Sequence, residues 1–390
     1  MNETYRVVFS LIRDSVFTMQ SIDYSGSNWN DVFNEMRLQG VSGLVGSVLG
    51  KVLGIDTIVK SQWKEHIIHQ VILNEKIISL QNQIQSLLNE KGIKSVVIKG
   101  TSSAAYYPNP IYRNVGDIDI LVMPDQYDQA CYVMVNAGYK TVMGQTSKRH
   151  TSFNINGVHV EIHHRFTAFG SKQSSVVLDE MIYSVMRKCD EMKYEGTLFS
   201  SLPQLENGLV ILEHIAHHLR TGIGLKHIVD WMMYVNACVD NEYWDTCFEE
   251  KVNMLGLQQF TKVITKMCTL YLGLPIINHE WCKNADTTVC TRLIKFIIES
   301  GNHAVKKNGI DGKAEKVLNT KGTKLIIQLQ NSGTVHWGMA SKYRIMRPFA
   351  IIYAVIRYAS LYFKQRTIGS IWKMLMVKRN NQKLFKQLDL

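Results

Sequence analysis

Apolar positions in the first ninety residues recur at helical spacing. Ile67, Ile68, Val71, Ile72, Ile77, Ile78, Leu80, Ile84, Leu87 and Leu88 follow that period through a stretch without Pro or Gly. The spacing predicts a long helix ending near Lys91-Gly92, where a glycine takes the C-terminal cap. The pattern changes at residue 94. Residues 94–99 are short and β-branched and read as a strand, broken by Gly100. Thr101 is placed to cap a short helix to Tyr106, which Pro108 and Pro110 stop. Residues 117–123 read as a second strand, and Pro124-Asp125 opens a helix to about Asn136, closed by Gly138. Two more strands are expected around 150–155 and 158–163, joined by Asn156-Gly157, a strong signal for a two-residue hairpin turn. From residue 205 the helical period returns, with breaks near 222–224 and 274–275 and no internal repeat.

These elements predict an α+β protein. A small mixed-sheet core at residues 93–204 is flanked by an N-terminal helical region, 1–92, and a C-terminal helical region with a basic tail, 205–390. A chain of 390 residues exceeds the length at which one hydrophobic core usually stops growing, which fits several substructures. The hydrophobic share of 46% is ordinary for a globular protein.

Charge changes the picture at one end only. The formal net charge is +11, yet residues 342–390 hold eleven Lys or Arg against the single acid Asp389. A basic tail suits an anionic partner, nucleic acid or an acidic membrane surface, and serves equally as a solvated face. The apolar run at residues 348–363 is too short for a transmembrane segment and carries Arg357. It reads as a buried bundle helix, or as peripheral contact at the inner membrane surface. The seven cysteines include no C-x-x-C pair, and residues 1–20 lack a basic start and apolar run, so a cytoplasmic protein with reduced thiols is expected.

The chemistry centres on Asp117-Ile118-Asp119. Residues two apart on a strand share a face, so both carboxylates project together while Ile118, Ile120 and Val122 pack behind the sheet. Adjacent like charges call for a cation, and oxygen ligands suit Mg²⁺ or Mn²⁺. Glu161 adds a third carboxylate on a strand where His159, Glu161 and His163 share the face opposite Val160 and Ile162. Three converging acids can hold two divalent ions around a phosphoryl or nucleotidyl group, and one can act as general base. Alone, the D-x-D string fits a solvated strand end equally well. Lys99-Gly100, at a strand end followed by a helix start, adds a place for phosphates to meet backbone N–H groups. Lys99 and Arg113 are the cations placed to neutralise a triphosphate, against the plainer readings of a partner for a nearby acid and a loop charge. His214 and His218, four apart on one helix face, are either an accessory metal pair or the inner lining of the core. The chain has no His-Asp doublet, G-x-G-x-x-G or P-loop string, so those motifs support none of the corresponding classes.

Val97-Ile98-Lys99-Gly100, Tyr107-Pro108, Arg113, Gly116 through Val122, Gly138-Tyr139 and Val160-Glu161-Ile162-His163 together resemble the uncharacterised nucleotidyltransferase family of bacteria. That family belongs to the DNA polymerase β-like superfamily. Gly40-Val41, the long helix, and the segment with His214, His218, Arg220 and Asp230 extend the resemblance over most of the chain. It implies a metal-dependent transfer of a nucleoside monophosphate from an NTP to an acceptor: a sugar, a small molecule, a tRNA end or a protein. Asp117, Asp119 and Glu161 are then the catalytic and metal-binding acids. The resemblance implies Lys99, Gly100, Thr101, Ser102 and Arg113 as nucleotide-binding residues; the superfamily's first motif is Gly-Ser, and Lys99-Gly100-Thr101-Ser102 in its place is a departure that bears on Ser102 more than on the carboxylates. His163 is an accessory candidate on the Glu161 face. Two readings of other classes compete: a D-x-D glycosyltransferase acting on a sugar nucleotide, and a non-catalytic module binding through the tail.

Overall fold

The computed structural model describes residues 3–17, 24, 26–142, 149–167, 173–186, 190–219, 222–300, 326, 329–330, 333–334, 337–363 and 381–390. The long helix forms as its periodicity predicts. It runs Thr57–Glu90 (α3), following the helices Glu3–Phe17 (α1) and Trp29–Leu38 (α2). Asp56 caps α3 by accepting from the N–H groups of Ile58 at 2.9 Å and Val59 at 3.2 Å, and Gly92 adopts φ +72° just past its end.

Six strands make one mixed sheet in the order β3-β4-β2-β1-β6-β5. They are Ser95–Ile98 (β1), Asp117–Val122 (β2), His150–Ile155 (β3), Val158–His163 (β4), Asp190–Tyr194 (β5) and Thr197–Ser201 (β6). Asn156 and Gly157 take φ +52° and +83°, the paired positive values of a type I′ hairpin turn, and so fix the β3–β4 register. The β5–β6 hairpin was not expected. Its turn, Glu195-Gly196, repeats the positive pair at +45° and +87°, and β6 joins the sheet parallel to β1. Between strands lie the short helix Gly100–Ala104 (α4), Tyr127–Asn136 (α5) and Gln173–Val185 (α6).

Strand alternation sorts the sheet into two faces. Ile118, Ile120 and Val122 of β2 and Val158, Val160 and Ile162 of β4 pack into one apolar cluster with Ile77, Ile84 and Leu88 of α3 and Met134 of α5. The opposite face carries Asp117, Asp119 and Glu161. It looks toward Gln204–Leu219 (α7) and Leu225–Cys238 (α8), the helices that follow the sheet. These two helices pack tightly at Gly208, where a Cβ would sit 2.0 Å from the Tyr234 ring. A second cluster runs from Tyr5 of α1 through β1, α7 and α8 to Leu388, so the two helical regions share a core.

Near the C-terminus, the helix Ala350–Phe363 buries Ala350 and Ala354 but exposes Ile352, Val355 and Ile356. It is therefore not a helix buried on all sides. No helix among the described residues is long and apolar enough to cross a membrane. Lys364, Arg366, Lys373, Lys378 and Arg379 of the basic tail, and Arg220, lie outside the described residues.

α3 also presents a buried polar stripe. Gln70 donates to Tyr112 O at 3.0 Å; Asn74 donates to Ile111 O at 2.8 Å and Arg113 O at 2.9 Å and accepts from Val115 N–H at 3.1 Å. Three of these bonds belong to one fully buried amide, which holds the segment leading into β2. Asn74→Leu leaves three backbone groups unpaired, and each unpaired buried group costs roughly 1–3 kcal/mol. The expected loss is about 3 kcal/mol, read as a lower denaturant midpoint with unchanged slope, whereas the exposed Gln83→Ala on the same helix moves it little.

Candidate active site

β2 and β4 pair in parallel with Asp117 beside His159, Asp119 beside Glu161 and Leu121 beside His163. The acids of the two strands therefore share one face, at the wall of a cavity of about 740 Å³. Asp119 is buried. Its Oδ1 accepts from Lys99 Nζ at 3.1 Å and from His163 Nε2 at 2.8 Å. Burial pushes this carboxyl up, but Lys99 and His163 outweigh it and hold Asp119 well below the carboxylate range. Asp117 is exposed to the cavity at the open end of the strand, and the balance there is reversed. Desolvation within the recess and the neighbouring Asp119 charge raise its pKa, against Lys99 and Lys226.

Glu161 collects imidazoles. His163 Nε2 lies 3.0 Å from its Oε2, and the Nε2 atoms of His159 and His150 lie 3.1 and 3.4 Å from Oε1. Burial raises Glu161, but the bond from His163 leads the opposing effects and leaves it lowered. Burial lowers His163, and its bonds to Asp119 and Glu161 reverse that, so its pKa is raised. His163 Nδ1 is buried and finds no partner among the described residues. Sequence reasoning missed His150, although the two-residue hairpin turn encodes its pairing with His163.

Lys99 reaches Asp119 from a strained backbone. It holds φ +58° and ψ −146° between β1 and α4, a region that L residues avoid at a cost of roughly 1–3 kcal/mol. Its Nζ also lies 5.7 Å from the Phe166 ring centroid. Burial opposes its charge, but Asp119 and Asp117 win and raise its pKa. Lys99 and Gly100 both line the cavity.

Thr101 and Ser102 require a correction. α4 starts at Gly100, so Thr101 is not its cap, and both hydroxyls are buried away from the cavity. Thr101 Oγ1 donates to Gln81 Oε1 of α3, and Ser102 Oγ donates to Lys99 O at 2.8 Å. Neither lines the cavity; Ser103 is the α4 hydroxyl that does.

Arg113 is tied into the fold. It reaches the cavity wall, but its guanidinium is buried and spent on Asp230 of α8, with Nε to Oδ1 at 3.0 Å and Nη2 to Oδ2 at 2.6 Å. Tyr107 donates to the same carboxylate at 2.7 Å. Burial raises Asp230, and Arg113 more than reverses it. This fork fastens α8 to the segment before β2.

The far wall comes from α7 and α8. His214 and His218 line it, with ring centroids 4.6 Å apart, and His227 stands 5.4 Å from His214. Burial, then the nearby cations, hold His214 well below its ordinary pKa and bring His227 to about 3. All three rings line the cavity. Among the described residues, the group whose ligand atoms all fall within 4.8 Å is His150, Glu161 and His163, and it does not include the His214–His218 pair. Two further cavity residues went unrecognised in the sequence. Burial lifts Glu213 to about 7, and burial, then Arg113, lowers Lys226, although Asp230, Asp117 and Asp119 pull the other way. No spacing rule reaches Lys226, because its position depends on how α8 packs against the sheet.

The profile of the family described as "uncharacterised nucleotidyltransferase" matches residues 25–273. The chain belongs to this family. The match takes in both walls of the cavity and stops short of the basic tail. No curated protein matches the chain. Among solved structures it is similar to an antigenic nucleotidyltransferase-like protein from Paracoccidioides brasiliensis, at 10% identity and a TM-score of 0.31, over 53% of this chain and 93% of that one. That likeness is too slight to say anything further of this chain.

The assignment of Arg113 to structure has a direct consequence. Removing one partner of a buried ion pair typically costs about 3–5 kcal/mol, because the other charge is stranded. Arg113→Met and Asp230→Leu should each destabilise by about that much, and the double variant should lose clearly less than the two losses added together. A double-mutant cycle in denaturant checks it.

Proposed function

We propose that this protein transfers a nucleoside monophosphate from an NTP to an acceptor hydroxyl in the cavity between the sheet and α7–α8. The observation that supports this reading most is the parallel β2–β4 register, which lines up Asp117, Asp119 and Glu161 on one face opposite Lys226. Family membership supports the reaction class. The cavity volume of about 740 Å³ lies within the range of roughly 300–1,000 Å³ usual for small-molecule sites.

The residues divide the work by charge. Asp117 and Asp119 are the oxygen donors suited to Mg²⁺ or Mn²⁺. Such ions, when bound, would draw charge from the α-phosphate and acidify the acceptor hydroxyl. Glu161 completes the carboxylate set and receives the acceptor proton. The acceptor oxygen bonds to the α-phosphorus, the bond from that phosphorus to the β-phosphate oxygen breaks, and pyrophosphate leaves. Lys226 is assigned to the leaving pyrophosphate, in the role first expected of Arg113. Among the described residues no side-chain hydrogen bond or ion pair engages it, whereas Arg113 is committed to Asp230. Lys99 balances Asp119 and borders the same space. Burial and the Asp119 charge raise the pKa of Asp117, and a cation held by the two acids would oppose that shift.

The test uses each α-labelled NTP with Mg²⁺ or Mn²⁺ and fractionated cell extract as the acceptor source. Label should move to an acceptor with release of pyrophosphate. Asp119→Asn should lower turnover on the order of 10²–10³-fold, as for loss of one transition-state-stabilising group. Lys226→Ala should weaken NTP use about tenfold, equivalent to ~1.4 kcal/mol. Undiminished transfer in Asp119→Asn would overturn the reading. Transfer from a sugar nucleotide without pyrophosphate release would favour a glycosyltransferase instead.

A further inference from the structure

We infer that His150, Glu161 and His163 form a binding site for one first-row transition ion, Zn²⁺ being the stable case, so that the cation positions in this cavity differ in chemistry. With the ion bound, Glu161 is a ligand and not free to receive the acceptor proton, so the ion's role rests on the nucleotidyltransferase reading, but its binding does not.

The hairpin builds the site. Its two-residue turn sets His150 of β3 directly opposite His163 of β4, and Glu161 precedes His163 by two residues, so all three side chains leave one face of the sheet. One ligand atom from each falls within 4.8 Å of the others. The closest approaches are 3.0 Å from His163 Nε2 to Glu161 Oε2 and 3.4 Å from His150 Nε2 to Glu161 Oε1. Donors bonded to one ion at about 2.0–2.2 Å sit roughly 3–3.5 Å from one another; each imidazole stands at that separation from one oxygen of Glu161, so bringing both nitrogens onto one ion takes a further adjustment within the 4.8 Å group. The two rings lie close, with centroids 4.8 Å apart and planes tilted by 57°, and each turns its Nε2 to Glu161. His159 touches the same carboxylate from the outer end but stays outside the group.

The donor types decide the ion. Two imidazole nitrogens and one carboxylate suit Zn²⁺ or Fe²⁺ and are poor ligands for Mg²⁺, which holds to oxygen. Asp117 and Asp119 offer only oxygen. Asp119 Oδ1 lies 2.8 Å from His163 Nε2, at the boundary between the two donor sets. With no partner at Nδ1 among the described residues, the His163 tautomer is set at Nε2, by whichever of a proton or an ion sits there.

Co²⁺ is the probe, because its visible absorption reports ligand type and it occupies Zn²⁺ sites. The purified full chain, stripped with chelator and free of nucleotide, is titrated with Co²⁺ and then challenged with Zn²⁺ or Mg²⁺. One equivalent should bind with a visible ligand-field band that Zn²⁺ abolishes and a thousandfold excess of Mg²⁺ does not. His150→Ala, on the half-buried edge strand, should weaken binding at least tenfold, whereas Asp117→Asn should leave it unchanged. His150→Gln serves as a second variant should the first fold poorly. Displacement by Mg²⁺, or undiminished Co²⁺ binding in both His150 variants, would overturn the inference. Because no nucleotide is present, a protein that binds Co²⁺ as described but transfers no label would contradict the proposed reaction and leave this site standing.

Discussion

The fold is organised around carboxylates crowded onto adjacent strands. Asp119 and Glu161 are side by side in a parallel register, with Asp117 two residues away on the same face. Like charges in a recess with little water repel strongly, and such a group persists only with positive charge brought to it. Lys99 and His163 bring part of it, each to Asp119. The strained backbone at Lys99 is the local cost of aiming a lysine from a strand end into that position. Asp117 keeps the unbalanced share. It stands where the cavity opens, and its carboxyl is raised by burial and by the Asp119 charge.

The two walls stay in register because polar groups far apart in sequence are tied together. Asn74 of α3 grips the segment that enters β2, and Arg113 from that segment grips Asp230 of α8. Arg113 thereby joins α3 to the helix that carries Lys226. Packing reinforces the link, since α1, β1, α7 and α8 share one apolar cluster. The cavity is thus set by the whole assembly of helices and sheet, and its acid wall and its α7–α8 wall are held by different elements.

Much of the acid wall was legible in the sequence, because strand periodicity and turn chemistry act over short distances. Asp117-Ile118-Asp119 could be placed on one face, Asn156-Gly157 marked a hairpin, and the end of α3 was visible at Gly92. The same hairpin logic would have reached His150, had the pairing been counted back from the turn. What stayed hidden depends on contacts between distant segments. Arg113 reads as a triphosphate ligand until Asp230, 117 positions away, takes its guanidinium. Thr101 and Ser102 read as phosphate contacts until α4 begins two residues earlier than expected and turns them toward Gln81 and Lys99. The β5–β6 hairpin carries only a short alternation around Glu195-Gly196, too weak to stand out between helices.

The proposed reaction requires one cavity to hold the triphosphate between the acids of β2 and the lysine of α8. A crystal structure with Mn²⁺ and a non-hydrolysable NTP tests it most directly. The account predicts anomalous manganese density at Asp117 and Asp119, with the β- and γ-phosphates within hydrogen-bond reach of Lys226 and no change in the Arg113–Asp230 fork. Nucleotide bound instead in the groove of about 840 Å³ beside Glu75 and Tyr194, or phosphates paired with an Arg113 released from Asp230, would contradict it.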